Sequence, residues 1–442
     1  MSAVVLRRTI GQLQATALVV GTIIGASIFV QPSTVTGAVP SVLGIISVWV
    51  IAGLLTLGGS VIAAELASAF PVTGGVYVYL TRAFSPALGF LWGWAMFWTM
   101  HTGIIAAIAM VFARYLGVLV PLSDMGLRAV AAGAIVVLSA VNYVGVKQGS
   151  GLQTGLTIAK VFAIAAVIVA AFALGPHAPL MPTPNGLVSP RGFLLAIAAG
   201  LFAFGGWHMV TYAAGETIDP PRTIPRALIA GTILVTACYV LLNTAYLHVL
   251  PLASVAQSTR VAADAADAVL GHGGAALMAV LVVVSTFGAL AGIVLAGPRA
   301  YLALAQDGLF FRRFAEVHPR YQTPHRAIVL QGAWGCVLVA TGTYGVLVAR
   351  VVYTEWLFFA AMAIGLLILR RRRGFMPMFR APLGTLLPVS FAAAALLVAA
   401  NQIVAAPLDS LTGLLLVLLG WPVYRLWGRR AVVSSPLATD GD

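Results

Sequence analysis

Twelve stretches of about 20 apolar residues follow one another along the chain, centred near residues 25, 54, 100, 136, 165, 205, 238, 285, 336, 361, 394 and 418. About 20 apolar residues is what an α-helix needs to cross the hydrocarbon of a bilayer. Hydrocarbon offers backbone groups no water, so a chain crosses it only as a helix or a closed barrel. Barrel strands are about ten residues long with alternating polarity, and these runs are too long and too uniformly apolar for that. Only 8% of residues are charged, against about 25% in a soluble protein. The expected fold is therefore an all-α integral membrane bundle of twelve transmembrane helices.

The net charge of +13 could suggest nucleic acid, but its placement gives another cause. With the N-terminus inside, the alternating loops put Arg7, Arg8, Arg82, Lys147, Arg222, Arg226, Arg299, Arg312, Arg313, Arg320, Arg326, Arg370 to Arg373, Arg380, Arg425, Arg429 and Arg430 on the cytoplasmic side, 19 of the 25 basic residues. The positive-inside rule favours this orientation. It predicts a multi-pass cell-membrane protein with both termini cytoplasmic and with no nucleic-acid partner. Arg7 and Arg8 before an apolar run resemble a signal peptide, but without a convincing small-residue cleavage site the run reads as a retained first helix. Cys238 and Cys336 both fall in apolar spans and are expected to be buried thiols, not a disulfide.

The spans divide into a first five-helix repeat over 11–174, a second over 191–370, helices 11 and 12 over 384–428, and a disordered polar tail over 429–442. Longer connections are expected at 175–190, at 249–272 ("ADAADAVL", a candidate short surface helix) and at 298–326. Span one carries Gly25-Ala26-Ser27 and span six carries "FAFGGWH" (202–208), both near their middles. Five spans separate them, so the second half enters the membrane from the opposite side and the repeats are inverted. Paired interruptions at matching places point to the binding site of a secondary transporter.

A helix broken in hydrocarbon strands backbone groups at several kcal/mol each, so something must complete them. A zwitterion does so. Its carboxylate takes free N–H groups at the start of a half-helix, and its ammonium takes the open carbonyls. The competing reading is close packing, since Gly21 and Gly25 form a GxxxG pair. Glycine clusters at matching positions of both halves favour the ligand reading.

These residues resemble the amino acid–polyamine–organocation superfamily, L-type amino acid transporter branch. The matching pieces are "VVGTIIGASIFVQP" (19–32), "AAELASAFPVTGGVYVYL" (63–80), "VNYVGVKQGSGLQTGLTIAKVFAI" (141–164), "LFAFGGWHMVTYAAGETIDPPRTIPRA" (201–227) and "LAGPRAYLALAQDGLF" (295–310). The resemblance implies a 5+5 inverted repeat of the LeuT type with helices 1 and 6 discontinuous. It implies that the N–H groups of Ala26 and Ser27, beside Gly25, hold a substrate carboxylate. The carbonyls of Ile23, Phe202 and Gly205 would hold its ammonium, and the Phe202 ring would close over it. Two departures stand out: the family's Gly-Ser-Gly triplet is Gly-Ala-Ser here, and its acidic pair is Gly215-Glu216.

Lys160 is the basic residue well inside a span. A charge there costs about 2.5–3.5 kcal/mol even on an insertion scale, unless it snorkels. In the resembling family a lysine here sits against the broken first helix, where sodium-driven relatives bind sodium, which implies sodium-independent transport. Trp207 could plug the path or simply pack. His208 could line the pocket or be a structural histidine, and His101 is similarly open. Glu65 and Glu216, near span ends, read as solvated charges, with pairing to arginines as the alternative. Ser285 and Thr286 are polar candidates near Lys160. Enzyme motifs, metal clusters and cofactor signatures are missing from the sequence. The expected function is sodium-independent transport of neutral L-amino acids by alternating access, as an exchanger. Alternatives are a proton symporter, a cationic amino acid or polyamine carrier (disfavoured because no carboxylate is apparent in the pocket), and an amino acid sensor. Animal L-type carriers bind a single-span glycoprotein through an external cysteine, and neither cysteine here could serve, so no disulfide-linked heavy subunit is expected.

Overall fold

The computed structural model describes residues 6–176, 189–271, 273–342 and 344–428. The chain runs through α1 (Gln12–Ile23), α2 (Ser27–Ala38), α3 (Val42–Ala69), α4 (Val76–Ala83), α5 (Pro86–Ala95), a π turn (Met96–Met100), α6 (His101–Leu119), α7 (Asp124–Val144) and α8 (Val146–Leu174). It continues through α9 (Pro190–Ala203), a 3-10 segment (Trp207–Glu216), α10 (Pro220–Val249), α11 (Leu252–Gln257), α12 (Val261–Leu270), α13 (Gly274–Gln306), a 3-10 turn (Arg312–Ala315), α14 (His325–Thr341), α15 (Tyr344–Arg370), α16 (Leu386–Ala405), α17 (Pro407–Leu418) and α18 (Gly420–Gly428). The only β pairing among the described residues is one parallel bridge, Ile10 with Thr217.

Among the described residues, ten helical stretches are long and apolar enough to cross a membrane, and α1 with α2, bent by 46°, makes eleven. The protein is a multi-pass membrane protein. The expected ninth span is α14, whose 17 residues give about 26 Å at 1.5 Å per residue, at the short end for a crossing. Several starts have a local cause. Ser41, Ser85, Ser123 and Ser189 each accept a hydrogen bond from the N–H three residues on, which is N-capping. Ser85 and Ser189 are followed by proline at the first helical position, where no N–H is needed.

The core is built around α1, which packs against α8, α10 and α13, while α3 packs along α10. Small residues permit this. A Cβ on Gly21 would fall 2.0 Å from Gln153 Nε2 on α8, and one on Gly53 would fall 2.3 Å from Thr236 on α10. Gly21 therefore does serve close packing.

Two connections differ from expectation. The polar link expected at 298–326 begins only after Gln306, because α13 continues through Pro298. Proline cannot donate to the carbonyl four residues back, and here the Gln331 side chain donates to Val294 O at 3.2 Å instead. His101 Nε2 pairs with the neighbouring Ile293 carbonyl at 2.9 Å. The segment 249–272 holds two short helices, and α12 buries Val261, Ala262, Ala263, Ala265 and Ala266; it is packed, not merely a surface helix. The tail at 429–442 and most of the 175–190 connection lie outside the described residues.

Candidate functional site

The two interrupted spans meet. In the first, α1 stops at Ile23, Ile24 turns to φ −74°, ψ 90°, and the Gly25 N–H folds back onto Ile23 O at 2.9 Å. Ala26 is already helical at φ −77°, ψ −25°, and α2 starts at Ser27. This break needs no left-handed residue, which is why Ala-Ser is tolerated in place of glycines. The N–H groups of Ala26 and Ser27 find no acceptor among the described residues.

In the second, α9 ends at Ala203, Gly205 N–H bonds Phe202 O at 3.1 Å, and Gly206 takes φ +95°. That conformation favours glycine. A Cβ on Gly206 would also lie 2.9 Å from Thr22 O, so the second break touches the first. Thr22 Oγ1 lies 3.1 Å from Gly206 O, and the Tyr239 hydroxyl reaches Ile23 O at 3.1 Å and Ala203 O at 3.0 Å. One phenol from α10 thus ties both helix ends. Ile23 O has two donors here, Gly25 N–H and Tyr239, so the carbonyl expected to hold an ammonium is already engaged in this state.

Between the breaks is a cavity of about 180 Å³. Ile23, Gly25, Ala26, Ser27, Phe202, Gly205 and Trp207 all border it. His208 does not: it is buried against Trp92, Trp207, Tyr212 and Phe359. Phe202 also borders a second cavity of about 320 Å³ with Gln31, Tyr353, Trp356, Asn401 and Gln402. Its ring and that of Trp356 therefore stand between the two spaces.

Lys160 is fully buried. Its ammonium donates to Ile24 O at 2.7 Å, Ser285 O at 2.9 Å and Gly21 O at 3.1 Å. This is no snorkelling geometry; the charge ends on the carbonyls that the first break exposes. Ser285 Oγ leans on Ile24 O and Gly25 O at 3.3 and 3.4 Å, whereas Thr286 bonds its own helix at Val282 O. Sequence reading missed Gln153 and Thr157, which donate to Ala17 O at 2.8 and 3.3 Å. With Lys160 they stand at i, i+4 and i+7, one face of α8. A polar stripe in an apolar span was the available signal.

At the arginine-rich end of the bundle, the solvated reading of Glu65 and Glu216 is overturned. Glu216 and Arg299, both wholly buried, form a bidentate pair at 2.6 and 2.9 Å. Arg299 lies within α13, immediately after Pro298, and also donates to Leu295 O. The N–H groups of Thr9 and Ile10 bond Glu216 O at 2.9 Å each. Glu65 pairs with Arg370 at 2.5 and 2.8 Å and accepts from Ala381 N–H. Beyond these pairs opens a vestibule of about 760 Å³ edged by Arg8, Arg82, Asp307 and Arg372.

The second omission matters more. Glu355, on α15, borders the central cavity, so the expectation of no carboxylate in the pocket is wrong. It is the one charged residue between Arg350 and Arg370, and an ionisable residue within a span is a functional signal by itself. The described residues hold no group of three or more His, Cys, Asp and Glu side chains suited to a metal.

The chain is similar to known proteins along most of its length. The family described as amino acid permease matches residues 10–421. The serine/threonine exchanger SteT of Bacillus subtilis (strain 168) is 30% identical over 423 residues, covering 95% of this chain and 96% of that one. The human b(0,+)-type amino acid transporter 1 is 30% identical over 378 residues, covering 83% and 77%. The rabbit large neutral amino acids transporter small subunit 2 is 30% identical over 436 residues, covering 96% and 81%.

Proposed function

Because the chain belongs to the amino acid permease family, we propose that it exchanges neutral L-amino acids across the membrane by alternating access and without sodium. It is a carrier, not an enzyme. The observation that carries the reading is the pair of interrupted spans facing one cavity, with the N–H groups of Ala26 and Ser27 unclaimed. Two free N–H groups at the start of α2, where the helix dipole is positive, suit a carboxylate. The ammonium goes to the carbonyl ends of the other half-helices. Phe202 O, Gly205 O and Ile23 O are the candidates, the last once Tyr239 yields. Phe202 and Trp356 serve as the gate on one side, and the Glu216–Arg299 and Glu65–Arg370 pairs close the other.

The two halves, 11–174 and 191–370, act as inverted repeats around this site. Lys160 supports sodium independence, since its ammonium already supplies a positive charge to the carbonyls that a sodium ion would need. The arginine-rich face is the cytoplasmic one, by the positive-inside rule. Cys238 and Cys336, half-buried within α10 and α14, are poor anchors for a disulfide-linked heavy subunit, so the chain works without one.

The test is counterflow in proteoliposomes. Vesicles loaded with unlabelled L-serine or L-alanine should take up labelled amino acid several-fold faster than empty vesicles, equally in sodium and in choline buffer. Uptake indifferent to internal amino acid, or absent without sodium, would reject the exchanger.

A further inference from the structure

We propose that Glu355 makes the central cavity select amino acids whose short side chain ends in a hydrogen-bond donor, a hydroxyl or an amine, over aliphatic side chains of the same shape. The inference deepens the exchanger reading and rests on it. Three observations carry it. Glu355 lies deep in the bundle yet keeps part of its surface open, and the cavity is what it opens onto. Its carboxylate makes no hydrogen bond or ion pair among the described residues, unlike Glu65 and Glu216, which are both fully engaged. Among the described residues it is also the one ionisable side chain on the cavity wall.

Ser27, Trp207 and Trp356 also carry polar hydrogens on this wall, and much of the remainder is apolar. Ile104, Ile108, Val111, Met209 and Phe359 offer nothing to a carboxylate. Thr22 spends its hydroxyl on Leu18 O and its neighbours. The residue one turn along α15, Phe359, is held by Trp207 and His208, so the face that carries Glu355 is fixed against the second broken span. A carboxylate in such surroundings needs a donor, and leaving it unpaired is costly. The substrate side chain can bring that donor. A site built to bond a substrate hydroxyl discriminates far more strongly against the analogue lacking it than an apolar pocket discriminates by shape. The cavity of about 180 Å³ sets the length limit: it is smaller than the ~300 Å³ at which pockets for larger ligands begin.

Threonine and valine share one shape and differ in the hydroxyl, so they form the direct test. Uptake of labelled L-threonine into threonine-loaded vesicles is competed with threonine, valine and 2,3-diaminopropionate, in wild type, Glu355→Gln and Glu355→Ala. Threonine should outcompete valine by roughly 10-fold or more in wild type. In Glu355→Ala the ratio should fall to within about threefold; Glu355→Gln, which still accepts, should keep part of it. If diaminopropionate beats threonine, the donor taken is an amine; if it does not, a hydroxyl. A variant that stops exchanging is read by how far threonine and valine raise its melting temperature in detergent. An unchanged threonine-to-valine ratio in Glu355→Ala overturns the proposal. So does a variant that loses only pH-gradient-driven accumulation, which would make Glu355 a proton carrier. Counterflow missing from wild type with every amino acid would instead reject the exchanger itself.

Discussion

Replacing Lys160 with methionine isolates what the buried ammonium does, because methionine keeps the length and apolar stem and removes only the three donors. Those donors serve Gly21 O, Ile24 O and Ser285 O at 3.1, 2.7 and 2.9 Å. Hydrogen bonds from a charged group are worth about 1.5–3 kcal/mol each, and placing the charge within the membrane costs about 2.5–3.5 kcal/mol. The balance leaves a net loss of roughly 1–6 kcal/mol on removal. The loss centres on Gly21 O, since the Gly25 N–H that would close its helical bond turns to Ile23 O instead; Ile24 O retains a long contact from Ser285. If that energy holds the first break in its binding-competent shape, losing ~2 kcal/mol of it costs about 30-fold in counterflow, at tenfold per 1.4 kcal/mol. The assay is initial-rate counterflow of labelled amino acid, with the detergent-purified variant checked by size-exclusion chromatography and thermal melting. Lys160→Arg, which carries the charge in a wider, planar head, should melt closer to wild type than Lys160→Met. A methionine variant that melts with wild type and exchanges at half its rate or better would refute the reasoning.

Two further outcomes follow from the geometry. Glu216→Gln should destabilise the protein by about 3–5 kcal/mol by stranding the buried Arg299 guanidinium, and the double variant Glu216→Met/Arg299→Met should melt higher than the single one; a single variant with an unchanged melting temperature would show that the pair is dispensable. Gly206→Ala should cost about 1–3 kcal/mol, from strain at φ +95° and from a Cβ 2.9 Å from Thr22 O, and should depress exchange, while Gly25→Ala, whose Cβ meets only Ala289 at an ordinary 3.6 Å, should be milder; the opposite order in thermal melts would contradict the account of the two breaks.

Bilayer physics made much of this protein legible before any coordinates. Apolar runs of membrane length dictate helices, because hydrocarbon cannot solvate an open backbone; all twelve expected centres fall within a helix or at a break, and among the described residues ten or eleven of those stretches have membrane length and hydropathy. Gly25-Ala26-Ser27 and Phe202 to Gly206 were readable as interruptions, since weak helix formers at mid-membrane need a reason. Lys160 was conspicuous because a lone charge in a span demands partners. What a one-dimensional pattern cannot supply is who those partners are. That Arg299 sits inside α13 and neutralises Glu216, 83 residues away, that His101 and Gln331 cover the carbonyls around Pro298, and that Tyr239 ties the two helix ends depend on which faces of distant helices meet. Burial turned His208 away from the cavity and Glu355 toward it, and helix rotation about its axis decides that. Local sequence sets where a helix can exist and where it must break; the packing of the bundle alone sets which side chains complete the break and which one borders the cavity.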